Sequence, residues 1–472
     1  MISERAQRLK YVAGDYITAN LAWLGYNCAR FAMGGVRGYQ SLHTFLTSDV
    51  VKLEQVVFPL IMMGVYYLSG YYNEVFRKSR LSELMTTLSS TCVNALITFF
   101  IALMNDMTAD NRAFNNESVL VLLGIMFVLT YVVRAVITGY TSHKIKSRQW
   151  SFKTLIIGDG AAAYAFVGKL EHMRASLGYD IVGYVHIPGE NGVKDIEKPR
   201  YSLDEVAGVC QREGVKELIV VPTKQDSAQL LSAINRLFSI NLPIKITPDK
   251  YNILLSRARL SDLYGDPLID ISSSNMSAGG QNMKRFCDVV ISAVAMVVLI
   301  PVYIAVGLII KCDSHGPVLY KQERLGRHNK PFYIIKFRTM VENAEQQGKP
   351  QLSSDADPRI TRVGHYLRKY RIDELPQFFN VLRGDMSIVG PRPERRYYAQ
   401  QILEREPAYS LVHQIRPGIT SMGMVKYGYA QNVDEMVERL RYDLLYLENM
   451  SLINDLKIIV YTVKIVFTGR GV

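Results

Sequence analysis

"FCDVVISAVAMVVLIPVYIAVGLII", residues 286–310, is the stretch that decides how the chain meets a membrane. As a helix it is long enough to cross a hydrocarbon core of about 30 Å. Pro301 lies past its middle, where it removes one helical hydrogen bond and bends the axis. The cations on its two flanks are Lys284 and Arg285 before the run and Lys311, Lys321 and Arg324 after it.

Both ends of this run should therefore stay in the cytoplasm, because short flanks rich in lysine and arginine are retained there. A helix that enters the bilayer, bends and returns meets this condition. We predict a re-entrant helix over residues 284–311, hinged at Pro301. A spanning helix with a proline kink is the alternative.

Four further apolar stretches precede this run, and each is about long enough to cross a membrane as a helix. They are residues 11–31, 56–72, 88–104 and 119–137. The first is the weakest candidate, because Asp15, Asn20 and Asn27 interrupt it. Basic residues lie before the first stretch, between the second and third, and after the fourth, which places both ends of the segment in the cytoplasm. The pattern predicts a four-helix transmembrane bundle over residues 1–142.

Residues 150–250 alternate between strand and helix patterns, which predicts a small Rossmann-like parallel α/β domain. Its first strand runs into Gly158 and Gly160, a spacing similar to a dinucleotide fingerprint. A dinucleotide site needs an acid at the end of the second strand, and this strand ends at His186. A structural or regulatory domain is therefore favoured over cofactor binding. Residues 251–280 are predicted to be a linker.

The net charge indicates what kind of partner the chain binds, and the cysteine spacing indicates whether disulfides or zinc stabilise it. Lysine and arginine outnumber the acids 55 to 43, which suggests an anionic partner: nucleic acid, an anionic membrane surface or a phosphorylated substrate. Charge alone does not choose among these three. The five cysteines are scattered and none forms a C-x-x-C pair, so neither a disulfide framework nor a zinc site is indicated.

The chain becomes polar and basic after residue 311, with cations beside Gly and Pro turns. Arginine offers a planar fork that matches phosphate oxygens, so a phosphate ligand explains these motifs best. The candidate phosphate-binding residues are Lys336, Arg338, Arg359, Arg362, Arg368, Arg392 and Arg416. A basic face that binds lipid headgroups is the alternative for several of them.

Asp373 and Glu374 are adjacent carboxylates within "YRIDELPQF", residues 370–378. A helix would separate them by about 100°, so they are not expected to share a proton. We predict that Asp373, among arginines, keeps a low pKa and acts as a nucleophile toward phosphorus. Glu374 is then free to hold Mg²⁺, which prefers one or two carboxylates plus substrate oxygens. A helix cap or a salt bridge is the alternative for the pair.

The succession "KFRTM", "DPRITRVGHYLRK", "DELPQFFNVLRGDMSIVGPRPE" and "RPGIT" resembles the catalytic domain of bacterial polyprenyl-phosphate hexose-1-phosphate transferases. These monotopic phosphoglycosyl transferases begin exopolysaccharide or O-antigen assembly. The resemblance covers residues 281–472, and the preceding bundle and α/β domain are similar to the large subclass of the family. It implies a membrane protein of α and α/β parts, with a C-terminal monotopic catalytic domain.

The resemblance also implies the reaction. Asp373 would attack the sugar-linked phosphorus of a UDP-hexose and release UMP, and undecaprenyl phosphate would then take the phosphosugar. Glu374 matches the family's magnesium ligand, Arg368 and Arg392 match phosphate-binding arginines, and Pro301 matches the hinge proline. Glucose is expected ahead of galactose.

Three positions depart from the family pattern. Ile300 stands where relatives often carry Ser before the hinge proline, and Arg371 replaces the Ser of the common "SLDELPQ". The stretch "SMGMVKYGYA" after "RPGIT" also differs from the usual continuation. The C-terminal residues 451–467 have helical spacing of apolar side chains, which indicates a helix in the membrane interface or one packed on the catalytic domain.

We thus expect a multi-pass protein of the bacterial inner membrane, with its catalytic domain on the cytoplasmic face. The expected partners are a UDP-hexose, undecaprenyl phosphate, membrane lipids and Mg²⁺, but not nucleic acid; a homodimer is left open. The alternative is a non-enzymatic membrane sensor whose α/β domain binds a nucleotide, in which Asp373 would be dispensable. A transporter is disfavoured on the expectation that ionisable residues cluster outside the spans.

Overall fold

The computed structural model describes most of the chain. Outside the described residues lie 1, 2, 35, 37, 77, 107–115, 190, 191, 194–196, 224–227, 239, 241, 248–267, 272–275, 343, 345–356 and 468–472. Most of the predicted linker, 251–280, falls on them. The rest forms two compact units, of which the first combines residues 1–151 with 174–178 and 277–283, and the second holds the remainder.

The N-terminal segment is helical, as predicted. Its helices are α1 (Glu4–Ala32), α2 (Leu42–Leu46), α3 (Asp49–Leu68), α4 (Arg80–Asp106) and α5 (Asn116–Lys146). Among the described residues, α3, α4 and α5 are long and apolar enough to cross a membrane. Helix α1 does not meet that criterion, in keeping with the polar residues that interrupt it, although it packs along α3 and α5.

A buried ion pair explains the acid in α1. The Arg134 guanidinium on α5 donates from Nε and Nη2 to the Asp15 carboxylate, at 2.8 and 2.7 Å, and from Nη1 to Thr87 Oγ1 at 3.1 Å. Tyr72 adds a hydrogen bond to Asp15 at 2.8 Å. Both charged side chains are fully buried. The expectation that ionisable residues lie outside the spans is therefore wrong for this pair, since the bundle supplies an opposite charge and hydrogen-bond partners.

The α/β part is a six-stranded sheet of order β3-β2-β1-β4-β5-β6, parallel except for the antiparallel β6. Its buried aliphatic side chains fill both faces beneath three helices. The strands are β1 (Phe152–Ile157), β2 (Tyr179–Val185), β3 (Arg200–Tyr201), β4 (Glu217–Val220), β5 (Ile244–Ile246) and β6 (Ile269–Asp270). The helices are α6 (Ala161–His172), α7 (Val206–Glu213) and α8 (Ala228–Phe238).

The apolar run at 286–310 folds as two helices with a sharp bend. Helices α9 (Ala278–Val298) and α10 (Ile300–Asp313) meet at 60° around Leu299. Pro301 lies in the first turn of α10, where a missing N–H costs least because helical N–H groups there have no intrahelical partner. The predicted bend at Pro301 is confirmed, and the pair fits either a broken span or a re-entrant loop.

The C-terminal part surrounds a small apolar core with short elements. Its strands form a hairpin, β7 (Leu319–Leu325) with β8 (Pro331–Phe337), and a parallel pair, β9 (Ser387–Val389) with β10 (Gly418–Thr420). Its helices are α11 (Arg362–Lys369), α12 (Gln377–Arg383), α13 (Arg396–Arg405), α14 (Met422–Lys426), α15 (Val433–Glu448) and α16 (Leu452–Phe467). Short 3₁₀ turns at 372–374 and 407–414 connect them.

Helix α16 has two faces. One packs on the rest of the C-terminal part, where Ile458 joins the core and Asp455 accepts from Lys284 Nζ at 2.6 Å and from Tyr446 at 2.7 Å. The other face exposes apolar side chains, among them Ile453, Leu456 and Val460. The predicted packing of this helix on the C-terminal part is therefore present, and the exposed apolar face also suits the membrane interface.

Candidate active site

Asp373 and Glu374 lie on a single tight turn between two helices. Helix α11 ends at Lys369, and Arg371 then takes a left-handed backbone conformation with φ of 52°. A 3₁₀ turn from Ile372 to Glu374 follows, and Pro376 precedes α12. Both carboxylates are buried. The sequence Asp-Glu-Leu-Pro thus places two acids on a short turn between the end of α11 and the start of α12.

Glu374 is the carboxylate that cations surround. Lys336 on β8 donates to its Oε1 at 2.9 Å, the Arg392 guanidinium lies 3.8 Å from the same oxygen, and Arg371 Nη1 lies 3.5 Å from Oε2. Burial alone would raise the pKa of Glu374, but Lys336, Arg392 and Arg371 together hold it well below its usual range. Glu374 is therefore an anion at neutral pH.

Asp373 behaves differently from its neighbour. Burial raises the pKa of Asp373 to about 6, and the Glu374 carboxylate adds to the rise, while Lys336 and Arg368 partly offset it. The prediction that Asp373 has a low pKa among arginines is therefore wrong, because the cations are closest to Glu374. With a pKa near 6, Asp373 is still mostly ionised at neutral pH.

Three of the predicted cations come together at this turn. Lys336 and Arg392 approach Glu374, and Arg368 on α11 acts on Asp373 while its Nε donates to Thr339 Oγ1 at 2.9 Å. Positive charge from a strand, a helix and a loop thus converges on the two acids. These residues can stabilise phosphate oxygens on a ligand.

The other predicted phosphate-binding residues have contacts elsewhere. Arg338 Nη2 donates to the Ser314 carbonyl at 2.7 Å, at the end of α10. Arg359 forms a fork with Asp357, with its Nη2 at 2.6 Å, and Arg416 Nε donates to the Gly384 carbonyl at 2.9 Å. Arg362 is exposed at the first position of α11. These contacts suit residues that support the fold around the site.

Tyr429 is a site residue that the sequence reasoning missed. It lies in the loop after α14, and the guanidinium carbons of Arg371 and Arg392 each lie 4.9 Å from the centre of its ring. A cation at this distance from an aromatic face is attracted by the ring quadrupole. The signal was the departure of "SMGMVKYGYA" from the family pattern, but a lone tyrosine in a loop does not reveal which cations it will meet.

One arm of the bent helix pair contacts the turn that carries the two acids, and the other contacts the helix that follows it. Tyr303 on α10 donates from its hydroxyl to the Leu375 carbonyl at 3.1 Å, immediately after the two acids. Arg285 on α9 donates to the Val381 and Leu382 carbonyls at 2.7 and 3.1 Å, at the end of α12. Helices α9 and α10 therefore help to position the turn.

The glycine-rich loop of the α/β part has its own charge arrangement. Gly158 has a φ of 121°, and a Cβ there would lie 2.3 Å from the Val221 carbonyl oxygen. The fully buried Asp159 carboxylate lies 3.1 Å from His186 Nδ1 and 3.1 Å from Arg200 Nε. His186, which stands where a dinucleotide site needs an acid, is thus paired with Asp159. A carboxylate in this loop is an unfavourable neighbour for a pyrophosphate.

The two carboxylates are the metal ligands that this turn can offer. Among the described residues there is no group of three or more His, Cys, Asp and Glu side chains that could hold an ion. A pair of carboxylates fits Mg²⁺, which takes its other ligands from water and substrate phosphates. Because Lys336 already contacts Glu374, an ion is accommodated best together with an anionic ligand.

Comparison with known proteins places this site in context. Residues 280–469 match the family described as bacterial sugar transferase. One relative is the UDP-N-acetylgalactosamine-undecaprenyl-phosphate N-acetylgalactosaminephosphotransferase of Aeromonas hydrophila, which is 40% identical to this chain over 218 residues. The aligned residues make up 46% of this chain and 51%, about half, of the relative's length.

Two further relatives are UDP-glucose:undecaprenyl-phosphate glucose-1-phosphate transferases. The Klebsiella pneumoniae protein is 26% identical over 428 residues, 89% of this chain and 90% of its own length. The Caulobacter vibrioides protein is 40% identical over 188 residues, 39% of this chain and 70% of its own length. The family match at 280–469 falls in the C-terminal part of the chain.

Proposed function

The chain belongs to the bacterial sugar transferases that act on undecaprenyl phosphate, and on this premise we propose that it transfers hexose 1-phosphate from a UDP-hexose to that lipid. The products are undecaprenyl-pyrophosphate-hexose and UMP. This would be the first membrane step in the assembly of an exopolysaccharide or O-antigen.

One observation carries the proposal: two adjacent buried carboxylates lie within a cluster of cations drawn from separate elements. Lys336, Arg371 and Arg392 surround Glu374, and Arg368 acts on Asp373. Four cations and two carboxylates leave an excess of positive charge, which favours binding of a diphosphate. A structural salt bridge would need only one cation for each acid.

We assign the nucleophile to Asp373. One of its carboxylate oxygens forms a bond to the sugar-linked phosphorus, and the bond from that phosphorus to UMP breaks, with the electron pair leaving on UMP. A phosphate oxygen of undecaprenyl phosphate then attacks the same phosphorus, and the Asp373 carboxylate departs. Lys336, Arg368 and Arg392 stabilise the charge on the phosphate oxygens in both steps.

Glu374 would hold Mg²⁺, with Asp373 beside it, when the nucleotide sugar is bound. The ion would neutralise diphosphate charge. With or without the ion, Lys336 and Arg392 hold Glu374 as an anion, and the Tyr303 hydroxyl fixes the Leu375 carbonyl.

The single experiment that tests the reaction is UMP release. Purified protein with UDP-glucose, undecaprenyl phosphate and Mg²⁺ should release UMP, and Asp373→Asn should abolish the release. Asp434→Asn is the matched control, because Asp434 pairs with Arg405 on an exposed surface. Unchanged release by Asp373→Asn would remove the proposed nucleophile. No release by the wild type would instead favour the non-enzymatic sensor.

The identity of the sugar is tested with the same assay. We propose glucose ahead of galactose, and N-acetylgalactosamine joins the panel because the relative from Aeromonas hydrophila is named for that sugar. The preferred sugar is the one with the highest kcat/KM. A clear preference for UDP-N-acetylgalactosamine would overturn the choice of glucose without affecting the reaction.

We also propose that α9 and α10 form a re-entrant helix in the bacterial inner membrane, with the catalytic part on the cytoplasmic face. The exposed apolar side chains of both helices and their 60° bend support this topology. The test is a Lys330→Cys reporter in a chain whose five native cysteines have been replaced. In intact cells the reporter should resist a membrane-impermeant thiol reagent and react after permeabilisation. Labelling from outside would mean that the helix crosses.

A further inference from the structure

Arg371 is a largely buried cation beside Glu374. Its side chain is 9% exposed, and Nη1 lies 3.5 Å from Glu374 Oε2. Its Nε is buried and has no hydrogen-bond partner. A buried guanidinium donor without a partner is costly, so a ligand that accepts its hydrogen bond would be favoured.

The backbone at Arg371 also has an unusual conformation. Its φ of 52° is in the left-handed region, which non-glycine residues seldom adopt. The same residue directly precedes the turn that carries Asp373. The conformation directs a long cationic side chain back toward Glu374, where an extended backbone would direct it elsewhere.

Tyr429 holds the side chain of Arg371 together with that of Arg392. The guanidinium carbon of each arginine lies 4.9 Å from the centre of the Tyr429 ring. Stacking on one ring fixes the orientation of both forks before a ligand arrives, which lowers the entropy lost on binding. Two oriented guanidinium groups beside one carboxylate form a site for an anion with more than one charged oxygen.

We propose that Arg371, held by Tyr429, binds a phosphate group of the nucleotide at the active site. The inference rests on the proposed function, because it assigns this cation to the diphosphate of the UDP-sugar and to the phosphate of the leaving UMP. The phosphate of the lipid has the same chemistry, so the experiment distinguishes the two sources. A serine at position 371 would supply neither the charge nor the fork.

The primary test is the affinity for UMP, measured by calorimetry on the full-length protein in detergent without Mg²⁺. Arg371→Ser should weaken UMP binding by about tenfold or more, as expected for the loss of a charge-assisted hydrogen bond. Arg371→Lys should recover part of the loss, since the charge remains but the fork and the stacking do not. Arg383→Ser, which changes an exposed arginine in the same way, is the matched control.

Steady-state kinetics then separate the two sources of phosphate. We expect Arg371→Ser to raise the KM for the UDP-sugar and to leave the KM for undecaprenyl phosphate unchanged. Normal UMP affinity in Arg371→Ser would overturn the proposal. A rise confined to the KM for the lipid would overturn its assignment to the nucleotide.

The role of Tyr429 is tested by Tyr429→Leu and Tyr429→Phe, with Tyr427→Leu in the same loop as the control. Tyr429→Leu should weaken UMP binding, and Tyr429→Phe, which keeps the ring, should weaken it less. The Arg371→Ser/Tyr429→Leu double variant should lose less affinity than the product of the two single losses, because the ring acts partly through Arg371. Fully multiplicative losses would show that the ring does not act through Arg371.

Failure of this inference can be told apart from failure of the proposed function. If the wild type releases no UMP from any UDP-sugar, the proposed reaction fails, whatever Arg371 does. If the wild type turns over and Asp373→Asn does not, while Arg371→Ser has normal UMP affinity, the reaction stands and only the assignment of Arg371 fails.

Discussion

At the scale of single residues, surroundings separate two carboxylates that the sequence sets side by side. Glu374 faces Lys336 and two guanidinium groups, so its negative charge is stabilised. Asp373 is buried with weaker compensation, and its pKa rises to about 6. A carboxylate that is buried but still ionised at neutral pH carries little solvation to lose when it attacks phosphorus.

His413 is a buried residue whose titration affects stability. Its Nδ1 lies 3.2 Å from the Gly326 carbonyl, so this nitrogen is the donor, and burial lowers its pKa to about 4. Since the pKa in the unfolded chain is about 6.5, the unfolded state binds the extra proton first as pH falls. The contribution of His413 is therefore fully present above pH 6.5 and is lost progressively toward pH 4.

The expected size of this effect can be measured. Between pH 7 and pH 5 the wild type should lose about 2 kcal/mol more stability than His413→Gln, which cannot take up a proton. Thermal unfolding of both proteins across this range is the measurement, with the exposed His365→Gln as the control. Parallel pH dependence in the wild type and in His413→Gln would contradict the prediction.

At the scale of elements, the bent pair α9 and α10 contacts the turn that carries Asp373 and Glu374. Pro301 sets the bend, Tyr303 contacts the Leu375 carbonyl, and Arg285 caps the end of α12. Lys284 anchors α9 to α16 through Asp455. The helices are therefore part of the scaffold that orients the acids.

Tyr303→Phe tests this connection, because it removes one hydroxyl and keeps the ring. The Leu375 carbonyl would lose its donor, which should cost about 1 kcal/mol of stability. We expect kcat to fall several-fold while the KM for the UDP-sugar changes little, since the cations remain in place. UMP release and thermal unfolding are the measurements, with the exposed Tyr333→Phe as the control. Unchanged kcat would show that the contact does not position the turn.

At the scale of the whole molecule, the candidate active site and the N-terminal helices lie in different compact units. The two acids, the cations around them and Tyr429 all belong to the second unit, and the Asp15–Arg134 pair belongs to the first. The family match at 280–469 also falls almost wholly in the second unit. The N-terminal helices are thus expected to stabilise the protein and to attach it to the membrane.

The Asp15–Arg134 pair tests this division. Arg134→Met should destabilise the bundle by about 3–5 kcal/mol, because it leaves a buried carboxylate without its partner. Asp15→Leu/Arg134→Met should restore most of that loss, since two apolar side chains need no compensating charge. Thermal unfolding in detergent measures both changes.

The folded fraction of each variant should keep its rate of UMP release. Arg5→Met is a control for the loss of an exposed arginine on the same helix as Asp15. If the double variant is as unstable as Arg134→Met, the pair does more than neutralise a buried charge.

The sequence by itself determined the helical N-terminal segment, the parallel α/β part and the bend at Pro301. Each depends on local periodicity, on a long apolar run or on the fixed φ angle of a proline. Ordered motifs also identified the family and the pair Asp373 and Glu374. These signals are read along the chain, so no knowledge of distant contacts is needed.

Only the tertiary structure decided which charges meet. Arg371 and Arg392 are brought together on Tyr429, and Lys336 is brought to Glu374, by elements separated by tens of residues. The pKa of Asp373 depends on burial and on these distances, which no local pattern contains. The same holds for Asp15, which interrupts an apolar run in the sequence and which the folded bundle pairs with Arg134.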